Sequence, residues 1–172
     1  SINVVVTAEP SAGQLSGSNI VCSDGTTTLS STISGGIWTS NNTSIATVDA
    51  NTGLVSGVSA GTAVMTYTVL GTGGCSNVTA TKEITVVHVE FDLNDQDTIK
   101  VCGTTYAITA PSGYDSYLWS NGVTTQVNTL SNTGLYKCTV SLQTCTATDS
   151  VFVSIVNADI VNNDTTICRG SY

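Results

Sequence analysis

Residues 61–69 read GTAVMTYTV, and the fold class can be inferred from their alternation. Ala63, Met65 and Tyr67 alternate with threonine or valine, which is the period of two expected of a β-strand with one buried face. The same alternation returns at residues 134–140, GLYKCTV, again behind a glycine. The sequence therefore predicts two equivalent strands in two similar units.

The same sequence features occur in the same order around both strands, so the chain contains a repeat. Each unit runs cysteine, strand, tryptophan strand, glycine-led alternating strand, cysteine and final valine-rich strand, which is the order of a Greek-key sandwich. We therefore predict an all-β fold of tandem sandwiches. Residues 1–9 are expected to be the last strand of a preceding repeat, 10–89 the first domain, 90–157 the second, and 158–172 the start of a following repeat. The predicted core side chains are Trp38, Trp119, Tyr67 and Tyr136.

The charge composition excludes some classes of binding partner. Twelve acids against four bases give a formal net charge of −8, and only 9% of residues are charged. This charge repels phosphate backbones and anionic lipid heads, so we expect no nucleic-acid partner and no direct membrane insertion. No stretch approaches the roughly 18 apolar residues that a membrane-spanning helix needs.

Six cysteines with one histidine and no CxxC spacing favour disulfides over a zinc site, and hence an oxidising compartment. Because they occupy matching places in their units, the preferred pairs are Cys22 with Cys75 and Cys102 with Cys145. Each pair would close a loop of 44 to 54 residues. In the chain-entropy model such loops stabilise by about 4 kcal/mol.

A competing pairing joins Cys102 to Cys138. Tyr136 precedes Cys138 by two residues, as in the tyrosine corner of antibody-type domains. Against this, Cys138 falls where the first unit has Met65, an inward position at which a buried thiol behaves as a small hydrophobe. The partner of Cys168 is expected beyond Tyr172.

The first unit resembles a known family. Its motifs are IWTSNN from Ile37, IATVD from Ile45 and GLVSGVSAGTA from Gly53. Together they closely resemble the bacterial Ig-like group 2 domain over residues 37–69. The resemblance implies an immunoglobulin-like sandwich in adhesins, invasin-like proteins or surface-layer proteins, with a spacer or adhesive role and no catalysis.

The second unit is similar to Ig-like repeats in giant surface proteins of gliding Bacteroidetes. The resemblance covers about residues 90–157 and rests on DTI before Cys102, SYLWSNG from Ser116, TTQ from Thr124, GLY from Gly134 and CTATDSV from Cys145. It implies export by the type IX system and a gliding adhesin.

Candidate chemistry is sparse. Nucleophilic catalysis needs a base beside a serine or cysteine, and His88, the only imidazole, ends a valine-rich strand and is read as a domain-junction residue. We therefore predict no enzyme, no catalytic residue and no cofactor. Acidic linkers supply hard oxygens at close spacing, so interdomain calcium is a candidate without any EF-hand spacing. The candidate calcium residues are Asp92, Asp95, Asp97, Asp159 and Asp164.

Two surface hypotheses complete the reading. A short Asp, Ser/Thr, apolar-or-Thr pattern resembles the O-glycosylation motif of Bacteroidetes-like species at Thr98, Ser150 and Thr165. Tyr114 and Tyr117 form the one plausible exposed aromatic pair for a carbohydrate.

The expected function is a structural stalk of a secreted, outer-membrane-associated cell-surface adhesin, with neighbouring Ig-like repeats as its partners. The alternative is a module that binds surface polysaccharide or a protein through loops at a domain end.

Overall fold

The computed structural model describes residues 9–93 and 96–156. Within these ranges every regular element is a β-strand and there is no helix, so the all-β prediction is confirmed. The chain divides into two compact units, residues 1–88 and 89–172. The expected flanking segments, residues 1–9 and 158–172, lie outside the described residues except for Glu9.

The described part of unit 1, residues 9–88, contains nine strands. They are β1 (Leu15–Ser16), β2 (Ile20–Cys22), β3 (Thr26–Thr28), β4 (Ser30–Ser31), β5 (Ile37–Ser40), β6 (Ala46–Val48), β7 (Leu54–Gly57), β8 (Gly61–Val69) and β9 (Val78–Val87). One sheet has the order β2-β9-β8-β5, a second has the order β3-β7-β6, and β1 pairs with β4. Strand β2 runs parallel to β9, whereas the other pairs in these sheets are antiparallel.

The alternation of β8 builds the core of unit 1. Ala63, Met65 and Tyr67 are at most 5% exposed, while the side chains that alternate with them are exposed at Thr62 and half-buried from Val64 to Thr68. Trp38 on β5 lies directly opposite Tyr67, and the two ring centroids are 4.7 Å apart. Each large apolar side chain buried in this way stabilises the unit by about 1.5–3 kcal/mol.

The β6–β7 hairpin turns on Asp49 and Gly53. The Asp49 carboxylate accepts hydrogen bonds from the backbone N–H groups of Asn51 and Thr52 and from the Thr52 hydroxyl. These bonds, led by that of the Thr52 backbone, hold the pKa of Asp49 below its ordinary value. Gly53 has φ +71°, a left-handed conformation that glycine adopts without a Cβ penalty.

The described part of unit 2, residues 89–93 and 96–156, repeats the plan with six strands. They are β10 (Thr98–Cys102), β11 (Tyr106–Thr109), β12 (Ser116–Trp119), β13 (Val127–Leu130), β14 (Gly134–Leu142) and β15 (Cys145–Val156). The larger sheet has the order β10-β15-β14-β12, and β11 pairs with β13. Strand β10 is parallel to β15, as β2 is to β9.

Trp119 anchors the core of unit 2. It is 1% exposed, and its indole N–H donates to the Thr125 carbonyl at 2.9 Å. The residue directly opposite Trp119 is Cys138, whereas the residue opposite Trp38 is Tyr67. Cys138 is therefore inward as expected, but it matches Tyr67 in the ladder and not Met65.

Tyr136 forms a tyrosine corner. It is half-buried at the start of β14, and its hydroxyl donates to the Asn132 carbonyl at 2.8 Å, four residues upstream. This bond fixes the turn into β14, as in antibody-type sandwiches. Tyr136, a predicted core residue, thus packs at the edge of the core and bonds the loop that precedes β14.

Candidate functional site

Cys22, Cys102 and Cys145 each take part in a disulfide. In unit 1, Cys22 lies beside Val87 at the end of β9, and Cys75 lies three residues before β9 begins at Val78. At about 3.3 Å per residue, the length of β9 separates the two Cα atoms by roughly 30 Å. A disulfide needs no more than about 7 Å, so the predicted Cys22–Cys75 pair does not fit the structure.

The same correction applies in unit 2. Cys102 lies beside Val156, the last residue of β15, whereas Cys145 is the first residue of that strand. Eleven residue steps separate the two positions by roughly 36 Å. The predicted Cys102–Cys145 pair is therefore ruled out by the parallel register of β10 and β15.

Cys138 carries a thiol and is fully buried in the core of unit 2. This excludes the competing Cys102–Cys138 pair. Burial raises the pKa of the Cys138 thiol, and a backbone hydrogen bond from Leu118 opposes that effect. A protonated, enclosed thiol is a poor nucleophile, so the residue acts as a small apolar side chain.

The calcium candidates are not gathered into a site by the described residues. No group of three or more His, Cys, Asp or Glu side chains with metal-binding spacing occurs in residues 9–93 and 96–156. Asp92 and Asp97 are exposed, and Asp95, Asp159 and Asp164 lie outside the described residues.

The predicted aromatic pair fixes the segment that opens unit 2. Tyr114 stacks edge to face between Phe91 and Tyr117, at centroid distances of 5.5 Å and 6.2 Å. Its hydroxyl donates to the Glu90 carbonyl, and that of Tyr117 donates to the Pro111 carbonyl. Leu93 is 5% exposed, and its N–H donates to Asp149. These tyrosines therefore serve internal packing.

The one imidazole lies next to a serine. Ser23 Oγ is 2.7 Å from Nδ1 of His88, an exposed residue that ends unit 1. The pair joins the residue after β2 to the residue after β9, and so fastens the two parallel strands where they end. Its position supports the reading of His88 as a residue at the end of a domain.

The glycosylation candidates differ in access. Thr98 is exposed at the start of the edge strand β10, whereas Ser150 is half-buried in the middle of β15. Thr165 lies outside the described residues.

A cleft in unit 1 was not foreseen from the sequence. It has a volume of about 450 Å³ and lies over Trp38, between the loop that precedes β5 and the β6–β7 turn. It is lined by residues 29–31 and 33–38, by Asn51 and Thr52, and by Tyr67. No motif marks it, because residues far apart in the chain form it.

The strand plan of unit 1 agrees with a family match. Residues 4–80 match the bacterial Ig-like domain (group 2). The immunoglobulin-like fold expected from the group 2 motifs is thereby confirmed. No curated protein matches the chain.

Several solved structures match the chain at low sequence identity. Drosophila OTK extracellular domains 3–5 share 15% identity at a TM-score of 0.43, covering 83% of this chain and 62% of that one. Domains 4 and 5 of the S-layer protein SbsC share 16% at 0.38, covering 87% and 100%. The insect immune protein hemolin shares 14% at 0.42, covering 90% and 49%.

No helix among the described residues has the length and apolar character to cross a bilayer.

Proposed function

We propose that this chain is a load-bearing spacer of a secreted cell-surface adhesin built from tandem Ig-like repeats. One observation carries the proposal. In each unit an early strand pairs in parallel with the last strand, β2 with β9 in unit 1 and β10 with β15 in unit 2. The recurrence of this plan in both units and the bacterial Ig-like match support it.

The direction of the strands determines how a unit responds to tension. In unit 1 the chain enters the ladder at Ile20 and leaves it at Val87, and the two strands run side by side in the same direction. A force along the chain therefore pulls β2 and β9 past each other along their length. All ladder hydrogen bonds share the load instead of opening one at a time.

Bonds beyond the strand ends lengthen both ladders. In unit 1, Ser23 N–H donates to the Val87 carbonyl at 2.9 Å. In unit 2, Phe152 N–H donates to the Asp97 carbonyl at 2.9 Å, and Gly103 N–H donates to the Val156 carbonyl at 3.1 Å. Each ladder thus ends on a bond made by a residue outside the strand proper, which adds resistance to shear.

Single-molecule force spectroscopy under reducing conditions tests the proposal. The span from Ile20 to Val87 should release about 240 Å of chain and that from Thr98 to Val156 about 205 Å, at roughly 3.5 Å per residue. Ser23→Pro removes the donor to Val87 and should lower the force of the longer event only. Unit 2 is the internal control. An unchanged force for the longer event would contradict the proposal.

The finer features belong to the same proposal. Disulfides at Cys22, Cys102 and Cys145 suit an extracellular location, and an immunoglobulin-like sandwich suits a role without catalysis. The motifs of unit 2 support a gliding adhesin exported by the type IX system, with neighbouring repeats as partners and calcium at linker aspartates. Glycosylation would be sought first on exposed Thr98, by mass spectrometry of the native protein.

A further inference from the structure

We propose that the cleft over Trp38 binds a neutral saccharide. This goes beyond a spacer role, because it gives unit 1 a ligand of its own. The cleft volume of about 450 Å³ lies within the range of small-molecule sites, roughly 300–1,000 Å³.

The first argument is an unused hydrogen-bond donor. Trp38 is 4% exposed, yet its indole N–H has no acceptor among the described residues. Every fully buried side-chain nitrogen in the described part of the chain has a hydrogen-bond partner. Because the Trp38 indole nitrogen has none, it is not fully buried and can be reached from outside. The matching Trp119 of unit 2 donates to the Thr125 carbonyl. A buried tryptophan normally finds such an acceptor, and in unit 1 a ligand can supply it.

The second argument is the space beside that donor. Gly53 lies next to the indole, and a Cβ there would come within 2.9 Å of Trp38 Nε1. Its two predecessors, Asn51 and Thr52, line the cleft. The glycine keeps the N–H uncovered at the wall that these two polar residues form.

The third argument is a preformed wall. The Tyr67 hydroxyl donates to the Ile33 carbonyl at 2.9 Å and accepts from Gly36 N–H at 2.8 Å. A Cβ on Gly36 would lie 2.5 Å from the Tyr67 ring, so the loop is held close against it. Two bonds to one hydroxyl fix the loop before any ligand arrives, which lowers the ordering cost of binding.

The lining selects the class of ligand. None of the described residues that line the cleft is charged, so neither an anionic nor a cationic ligand would find a counter-charge. Serine, threonine and asparagine side chains supply both donors and acceptors, as vicinal hydroxyls require. Ile33 and Ile37 are 39% and 46% exposed at the rim and offer apolar surface to the C–H face of a sugar ring.

An array of neutral, sialylated and sulfated oligosaccharides would find the ligand, and two-dimensional NMR with the best neutral oligosaccharide would place it. We expect the Trp38 indole N–H resonance to shift, with the amides of residues 33–37 and 51–53. The Trp119 indole resonance should stay in place. The Asn51 side chain makes no hydrogen bond to any of the described residues, so Asn51→Ala should weaken binding about five-fold, the equivalent of about 1 kcal/mol, without breaking one of those bonds.

Matched variants separate binding from folding. Asn19→Ala changes another exposed asparagine that does not line the cleft, and it should bind like the native protein. Trp38→Phe removes the donor and should also weaken binding, whereas Trp119→Phe should not. The proposal is overturned if no neutral oligosaccharide shifts the Trp38 indole resonance at 10-mM-scale concentrations, roughly the weakest useful affinity. Selective binding of anionic glycans, or of peptides at the same resonances, would also overturn it.

Discussion

Replacing Gly53 by alanine should destabilise unit 1 far more than the same change at Gly35. Both glycines have a positive φ, +71° at Gly53 and +88° at Gly35. Both substitutions therefore place a Cβ on a left-handed residue. Their surroundings differ, because a Cβ at Gly53 would lie 2.3 Å from the Leu29 carbonyl oxygen, whereas nothing lies within 4 Å of one at Gly35.

The two contributions can be estimated separately. A left-handed alanine costs about 1–2 kcal/mol, and both variants bear this cost. The collision at Gly53 is with backbone that cannot swing aside, since Leu29 N–H donates to the Gly53 carbonyl at 2.9 Å. Relieving it would break this bond beside a leucine that is 1% exposed, at a further cost of about 1–3 kcal/mol. We expect total losses of about 2–5 kcal/mol for Gly53→Ala and about 1–2 kcal/mol for Gly35→Ala.

Hydrogen-exchange mass spectrometry of the peptide that covers residues 61–69 would measure these losses. This strand lies in the core sheet of unit 1, so its slowest amides report opening of that unit and not of unit 2. Peptides that cover residues 134–142 provide the control. Equal losses for the two variants would show that the close approach of Gly53 to Leu29 plays no part in stability.

Further predictions concern the cysteines, one carboxylate and one hydroxyl. Peptide mapping without reduction should find no disulfide between Cys22 and Cys75 and no alkylation of Cys138 until denaturant is added; rapid native alkylation would refute the buried thiol. The folded pKa of Cys138 is raised, so its contribution to stability should be complete below the ordinary thiol pKa of 9.0 and should be lost as the pH rises through the raised value. Urea titrations should show that Cys138→Val abolishes this loss. The folded pKa of Asp49 is lowered, so its contribution should be present above pH 3.8 and lost as the pH falls through the lowered value; an Asp49→Asn protein with the same acid dependence would argue against this. Tyr136→Phe should cost about 0.5–1.5 kcal/mol in urea unfolding, the net value of its bond to a backbone carbonyl.

The strands could be predicted because periodicity records which face is buried. Strand β8 is predicted by the alternation of Ala63, Met65 and Tyr67, and all three are buried in the structure. The β6–β7 hairpin follows similarly from the turn residues between Asp49 and Gly53. The tandem all-β organisation depends on these local signals.

The disulfide pairs could not be predicted because they depend on strand direction. Cys22 and Cys75 flank one unit in the sequence, and an antiparallel arrangement of β2 and β9 would have brought Cys22 to the start of β9. The parallel register instead places Cys22 at its end. Alternation of side chains is the same in either direction, so no periodicity separates the two cases.

The cleft was missed for a related reason. Its donor, Trp38, has the sequence context of a core residue and is buried as predicted. Only a comparison of the two indole N–H groups shows that Trp119 has an acceptor and that Trp38 has none in the part of the chain that the structure describes. The hydrogen-bond state of a side chain depends on loops that meet in space, and the sequence around Trp38 contains no trace of it.

The segment that opens unit 2 determines where a separately produced second domain has to begin. Phe91 and Leu93 pack in the core of the second sandwich. The Tyr114 hydroxyl donates to the Glu90 carbonyl, and the Asp149 carboxylate accepts from Leu93 N–H. A second sandwich that began at Thr98 would lack Phe91 and Leu93, and the core side chains that they cover would be exposed to water. A second sandwich produced by itself should therefore begin no later than Val89 if its core is to stay closed.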